Sequence, residues 1–442
     1  GTDVATEVLA GLTTFMVMAY IIFVNPSILS FAGLPELQGL GPPFHPTLAA
    51  TCLVAGTMTL LMGLWANYPL ALAPGMGLNA VVAFQLIAGM RLPWTAAMGA
   101  ILLEGAFITF LVLTGFREAV MEAIPLSLKR AIGAGIGLFI LFIGLVSGGF
   151  VKPGKDVPVA LGDLDTPQVL VSTFGLLLTL ALMSRRVKGA LLIGILGATA
   201  FAVAVNFFSD FKAFPPPVAV IPRGVFAFPD FSTFGKGLDF SLFAQVGWTA
   251  GALTVFSLML ADFFDTMGTV IGIAGEAGWL NEKGSLPRLN RVLLVDSLAA
   301  LFGGFASSSS ATTYIESAAG VAKGGKTGLA SVVTGLLFFF ALFLSPLAAV
   351  VPPQATAAAL IVVGYLMGTI VKDIPFGEFE EGFPALLTIA TMPFTYSITN
   401  GIGFGFLAYT FVKVVRGKAA EVHWMMYLVS AAFLLYFTIP LF

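Results

Sequence analysis

Five carboxyls stand inside long apolar stretches of this sequence, where an ionisable side chain is expensive and is kept for a function by default. Glu104 lies in the run 94–115. Asp262 and Asp265 occupy Ala-Asp-Phe-Phe-Asp-Thr-Met-Gly-Thr, Asp296 sits in Leu-Val-Asp-Ser-Leu, and Glu316 follows Ser-Ala-Thr-Thr-Tyr-Ile. No Lys or Arg falls at comparable depth in these segments. A carboxyl buried without a basic partner can hold a proton near neutrality and exchange it, which is the chemistry a proton-coupled carrier needs. Asp262 and Asp265 are three residues apart, and Thr312 and Glu316 are four apart, so on a helix each pair shares a face. A plainer role, a hydrogen-bonded clamp between helices, weighs most for Glu104 and least for Asp265 and Glu316. Phe264 and Tyr314 could stack on a planar ligand, although with 42 Phe in the chain ordinary packing is the commoner use. Asn25 and Asn79, beside Pro26 and Gly77, suit either a ligand contact or backbone groups freed where a helix breaks.

The elements that must position these residues are membrane spans. The 442 residues are 58% hydrophobic and 10% charged, against about 25% charged in soluble chains. So few charges cannot cover a water-facing surface, whereas lipid is well matched by apolar side chains. Crossing the hydrocarbon takes about 20 apolar residues in a helix. Such runs occur near 8–30, 47–66, 70–89, 94–115, 131–150, 167–184 and 188–208, and a polar linker with Pro215, Pro216 and Pro217 fills 209–240. They resume near 242–272, 287–304, 305–323, 326–350 and 354–371, and the tail 383–442 is apolar again. Two blocks of about seven point to an internal repeat, and an odd number of spans inverts the second copy. The third segment of each block is interrupted: Leu-Ala-Leu-Ala-Pro-Gly-Met-Gly-Leu-Asn at 70–79, and the Gly- and Ser-rich stretch 303–316. Irregular backbone at membrane depth needs protein or water to cover it, and matched interruptions mark transport sites. Extended backbone at 70–74 and about 306–311, each followed by a short helix, is the expectation.

The loop 31–46 lacks Lys and Arg, whereas Lys129, Arg130, Arg185, Arg186, Lys188, Lys283, Arg288 and Arg291 cluster in others. Positive-inside counting therefore puts the N-terminus in the cytoplasm. Two topologies fit the tail. Either 384–415 is one helix, giving fourteen spans, or Thr399-Asn400-Gly401 splits it, bringing Lys413, Arg416 and Lys418 inside and leaving one further helix.

Net charge of −2 offers no basic patch for nucleic acid. Cys52 is the single cysteine, and His45 and His423 are too far apart for a local metal motif, so no metal and no cofactor is expected. Asp3 and Glu7 precede the first apolar run without a basic stretch, so no cleavable signal peptide is expected. No zinc-hydrolase or nucleophile-elbow pattern occurs. The residues favour a transporter over an enzyme, with no catalytic residues.

The motifs themselves resemble a known family. Gly-Leu-Thr-Thr-Phe-Met-Val-Met-Ala-Tyr-Ile-Ile-Phe-Val-Asn-Pro at 11–26, Ala-Pro-Gly-Met-Gly-Leu-Asn-Ala at 73–80, Asp-Phe-Phe-Asp-Thr-Met-Gly-Thr at 262–269 and Thr-Thr-Tyr-Ile-Glu-Ser at 312–317 are similar to the AzgA-like branch of the nucleobase–ascorbate transporters. That branch holds the bacterial adenine, guanine and hypoxanthine permeases, and the resemblance covers essentially the whole chain. It implies a uracil-permease-like fold: an all-α polytopic membrane protein of about fourteen transmembrane segments in two inverted sevens, with short strands in segments three and ten. A core domain would comprise 1–115 and 241–350, and a gate domain 116–240, with the linker, and 351–442. The implied site lies between the two strands, with Asp265 and Glu316 facing a purine nucleobase and Ala73, Gly75, Thr313 and Phe264 around it. Asp262, Asp296, Asn79 and Asn25 would support the site or couple it to protons. Asp265 stands where many relatives carry Glu, one methylene longer. The partners implied are a purine nucleobase, a proton and the lipid bilayer of the cell membrane, with a homodimer left open. The runner-up is a sulfate-permease-like anion transporter of the same fold, disfavoured because Asp265 and Glu316 would repel an anion unless both were protonated.

Overall fold

Hydrocarbon offers backbone groups no hydrogen bonds, so the apolar runs must close their own as helices. The computed structural model describes residues 2–115, 123–216, 218–222, 224–281 and 286–438; Pro217 and Lys283 lie outside them. Among the described residues, eleven helices are long and apolar enough to cross a membrane.

The first span, Val4–Leu29, is α1 (Val4–Met18) and α2 (Ile21–Leu29), joined through Ala19 and Tyr20. Asp3 caps α1 by accepting the Thr6 N–H at 2.8 Å. The helix α3 (Phe44–Leu61) runs on as a π-helical turn, Met62–Ala66, and ends at Asn67 in the left-handed region. The third segment is not a continuous helix. Strand β1 (Leu72–Pro74) leads into α4 (Met76–Ala80), which continues as a π-helix over Val81–Gly89. Helices α5 (Trp94–Thr114), α6 (Leu126–Ser147), α7 (Pro167–Ser184) and α8 (Ala190–Phe208) follow, with the hairpin β2 (Val151–Pro153) and β3 (Val159–Leu161) after α6.

The second half opens with α9 (Trp248–Glu276) and α10 (Leu289–Ala306). The expected extension at about 306–311 falls later. Residue 306 closes α10, Ser307 and Ser309 turn the chain through left-handed conformations, and strand β4 is Ala311–Thr313. A serine run can supply turn or strand equally, since its hydroxyls bond the local backbone, and here the first four serines are the turn. Then come α11 (Ser317–Val321), α12 (Gly328–Ala341), α13 (Pro353–Gly368), α14 (Phe379–Thr395), α15 (Ile398–Val415) and α16 (Trp424–Thr438).

The tail decides between its two readings. Residues 384–415 are not one helix. Tyr396 adopts φ 50°, and Ser397 starts α15 by accepting the Asn400 N–H at 3.1 Å. The break thus lies just before Thr399, which with Asn400 and Gly401 forms the first turn of α15.

Helices α5 and α10 lie against each other through small residues. A Cβ on Gly105 would collide with the backbone of Leu301, and one on Gly304 with that of Leu102. Close backbone approach of this kind drives packing where lipid offers no hydrophobic contrast, and it holds Glu104 beside α9 and the Ser307–Ser310 turn.

Candidate functional site

The site is built on two strands too short to stand alone. β1 and β4 pair antiparallel, with Leu72 opposite Thr313, Ala73 opposite Thr312 and Pro74 opposite Ala311. Pro74 has no N–H for the ladder. The next residue supplies it, the Gly75 N–H donating to the Ser310 carbonyl at 2.8 Å, and the Tyr314 N–H donates to the Ala71 carbonyl at 2.9 Å. Side chains satisfy what the ladder leaves over. Thr59 Oγ1 accepts the Leu72 N–H at 2.9 Å and donates to the Leu72 carbonyl at 3.1 Å. Ser317 Oγ accepts the Ala71 N–H at 3.0 Å, and the Tyr314 hydroxyl donates to the Pro74 carbonyl at 2.5 Å. Tyr314 thus fastens the strands, its hydroxyl proton taken up by that bond. Asn25 Nδ2 donates to Thr51 Oγ1 at 2.8 Å and to the Ser308 carbonyl at 2.9 Å, tying α2 to the serine turn. Asn79 Nδ2 reaches only the Pro74 carbonyl, at 3.5 Å.

Around this crossing the carboxyls fall into distinct environments. Asp296 is fully served: it accepts the Thr313 N–H at 2.8 Å, the Thr313 hydroxyl at 2.7 Å and the Thr266 hydroxyl at 2.7 Å. Those bonds spend the Thr313 side chain on the scaffold. Glu316 accepts the Tyr20 hydroxyl at 2.5 Å. Among the described residues Asp265 is met only by the Thr312 hydroxyl at 3.5 Å, a length at which a hydrogen bond is weak. Both Asp265 and Glu316 are partly open, whereas Asp262, Asp296 and Glu104 are buried. The ion pairs among the described residues involve Asp163, Glu380, Glu381 and Glu421, and none of the five central carboxyls is in one.

Of the residues singled out from the sequence, Asp265, Glu316, Ala73, Gly75, Asp296 and Thr313 gather at the strand crossing, with Asp262 one turn along α9, Asn25 bonded to the serine turn and Asn79 near Pro74. Phe264 packs against the core, its ring 5.8 Å from that of Phe263. Tyr20, Thr59, Thr266 and Ser310 were not anticipated. Only Tyr20 left a signal, a polar aromatic inside an apolar run. A cavity of about 960 Å³ is lined by residues such as His45, Trp94, Gln168 and Lys236, and contains none of the central carboxyls. No group of three His, Cys, Asp or Glu among the described residues could hold a metal ion.

Two partly open carboxyls with spare acceptor capacity, beside a polar strand, can hydrogen-bond the edge of a small uncharged ligand. An ionised carboxyl accepts, and a protonated one both accepts and donates.

The model of the Permease family (Xan_ur_permease) matches residues 5–404. The chain is 40% identical to the adenine permease AdeQ of Escherichia coli over 443 residues, covering 98% of this chain and 93% of AdeQ. It is likewise 40% identical to the guanine/hypoxanthine permease PbuG of Bacillus subtilis over 438 residues, covering 99% of this chain and 97% of PbuG. The transmembrane domain of the cyanobacterium bicarbonate transporter BicA superposes with a TM-score of 0.62 at 13% identity, covering 88% of this chain and 96% of that one. At that identity the likeness is one of fold.

Proposed function

We propose, from the premise that this chain belongs to the Permease family and is an integral membrane protein, that it is a secondary active transporter importing purine nucleobases by proton symport. The observation that carries the reading is the convergence of Asp265 and Glu316, from separate elements of the second half, on a strand pair that joins the two halves of the chain. The choice of purines rests on the end-to-end similarity to permeases named for adenine and for guanine and hypoxanthine.

In this reading the base lies at the crossing of β1 and β4. Asp265 and Glu316 meet its N–H and ring-nitrogen edge, while Ala73 and Gly75 present backbone and Phe264 contributes apolar surface. Asp262, Asp296, Asn25 and Asn79 support that arrangement. The fourteen-segment plan follows if α14 and α15 are the last two segments of the second seven, with α16 additional. The strand-then-helix order of both interrupted segments supports an inverted repeat. A core domain of 1–115 and 241–350 would then carry the base past a gate domain of 116–240 and 351–442, as an elevator in the cell membrane with a cytoplasmic N-terminus. An anion cargo fits less well, because two carboxyls would face it.

The test is radiolabelled uptake in cells lacking their own purine permeases. Adenine, guanine or hypoxanthine is expected to accumulate, to compete with one another, and to stop accumulating when a protonophore is added. Accumulation that ignores the protonophore and follows sodium refutes the proton coupling. Bicarbonate or sulfate transport without purine uptake refutes the substrate class.

A further inference from the structure

Glu104 stands out among the buried groups that the proposed site does not use. Its residue is 0% exposed, and among the described residues neither carboxyl oxygen receives a hydrogen bond from an N–H or O–H. Its neighbours are Asp262 and Ser310. Asp262 is 1% exposed, its Oδ1 is also unserved, and its Oδ2 is met only by the Ser310 hydroxyl at 3.5 Å. One buried acceptor therefore faces another, and the further charged groups that act on the pair among the described residues are Asp296 and Asp265, both carboxyls. Asp239, bonded to Thr95, is about two and a half turns away along α5. Two carboxylates in contact at this depth cannot both stay ionised, and a buried acceptor without a donor demands an explanation. A proton between them answers both.

We propose that Glu104 and Asp262 form a proton-holding carboxyl pair, linked to the strand crossing through Ser310 and separate from the residues that meet the base. The pair holds one proton shared between the two oxygens and takes a second from water on the outer side. That second proton returns to water on the inner side, so each cycle moves one proton and breaks no other bond. Ser310 is the link. Its hydroxyl reaches Asp262, and its carbonyl accepts the Gly75 N–H at the head of β1. A change in the charge of the pair therefore pulls on the same residue that closes the strand ladder. Asp262 also lies one turn from Asp265 on α9. The inference rests on the proton-symport reading, and its test is chosen to separate the two.

Infrared difference spectroscopy on the purified full chain reads the carbonyl stretch of protonated carboxyls. Without purine, the unchanged chain is expected to show such a band and Glu104→Gln to lose it, while Glu316→Gln retains it. In proteoliposomes, Glu104→Gln is expected to bind and exchange radiolabelled purine, but its accumulation under an imposed pH gradient falls to simple equilibration. Should Glu104→Gln fold poorly, Glu104→Asp keeps a carboxyl one methylene shorter and is expected to shift the band rather than delete it. A band that persists in Glu104→Gln overturns the pair, as does its absence from the unchanged chain, which a water-satisfied pair would give. Undiminished pH-driven accumulation by Glu104→Gln also overturns it. If the unchanged chain ignores the pH gradient, symport is wrong, and the band alone decides whether the pair holds a proton.

Discussion

Glu380 and Glu104 are the same residue type on two helices of one apolar protein, and they are held in opposite ways. Glu380, in the first turn of α14, receives Lys418 Nζ at 2.6 Å, Arg416 at 3.2 Å and Lys413 Nζ at 3.3 Å. Lys413 is itself buried and also meets Glu381 and Glu421, at 3.4 and 3.1 Å. Near the strand crossing, among the described residues, no cation forms an ion pair with the carboxyls. A buried charge supplied with several counter-charges has little freedom to change state. One supplied only with hydroxyls, or with another carboxyl, can change state when a ligand or proton arrives. The α14–α15 junction thus reads as a fixed clasp and the centre as the responsive part, although both are built from acidic residues in apolar surroundings.

The comparison predicts that substitutions at the centre change transport and those at the clasp change stability. Asp265→Ala and Glu316→Ala are expected to abolish measurable uptake with surface expression intact. Removing one partner of a buried charged hydrogen bond costs ~2–5 kcal/mol, roughly thirty-fold or more in affinity. Titration of radiolabelled purine onto the purified variants checks this. Unchanged affinity in both would place the substrate elsewhere. Asp265→Glu keeps the carboxyl and is expected to retain part of the activity. Glu380→Ala, by contrast, removes the carboxylate that Lys413, Arg416 and Lys418 share, although Lys413 keeps Glu381 and Glu421, and should lower stability. Its melting temperature should drop while purine affinity in the folded fraction holds, and an altered affinity would break the division between clasp and centre.

Asp296→Asn sharpens the division from within the site. It keeps the shape, and its amide oxygen can still take both Thr313 donors, but its N–H₂ group replaces the oxygen that accepts the Thr266 hydroxyl, at a cost of about 1–3 kcal/mol. Thermal unfolding should register that loss first, with weaker binding following because α9, which carries Thr266 and Asp265, is held less firmly to α10. The smallest effect is expected for Tyr20→Phe. Losing one hydroxyl donor to Glu316 should weaken purine binding by about 1 kcal/mol, roughly five-fold. Calorimetry at fixed pH would detect it, and no change at all would mean that Glu316 does not need Tyr20 to be oriented.

Spans were legible from composition because an apolar run of the right length has few alternatives to a helix in lipid. The stretch 167–184 is read from the sequence at the residues where α7 lies. The break in the third segment was legible from Pro74 and Gly75, which cannot continue a helix comfortably. β4 was legible in kind but displaced, because nothing in four consecutive serines distinguishes a left-handed turn from a strand before the partner strand is known. The three bonds to Asp296 come from residues 17 and 30 positions away. Glu380 finds its cations 33 to 38 positions away. Such partnerships depend on how helices are placed, and helix periodicity carries no record of that.

The pairing of β1 with β4 also sets an order of manufacture. Ala73 and Thr312 are about 240 residues apart, so the ladder closes only late in synthesis. Until Ser310 and Tyr314 have left the ribosome, the Gly75 N–H and the Ala71 carbonyl have no partner, although Thr59 already serves Leu72. The nascent first half is thus inserted with unpaired backbone near the middle of its third segment, a state hydrocarbon tolerates badly. A chain truncated before residue 310 should be cleared by quality-control proteases, whereas one that extends past Tyr314 escapes them by closing three residue pairs.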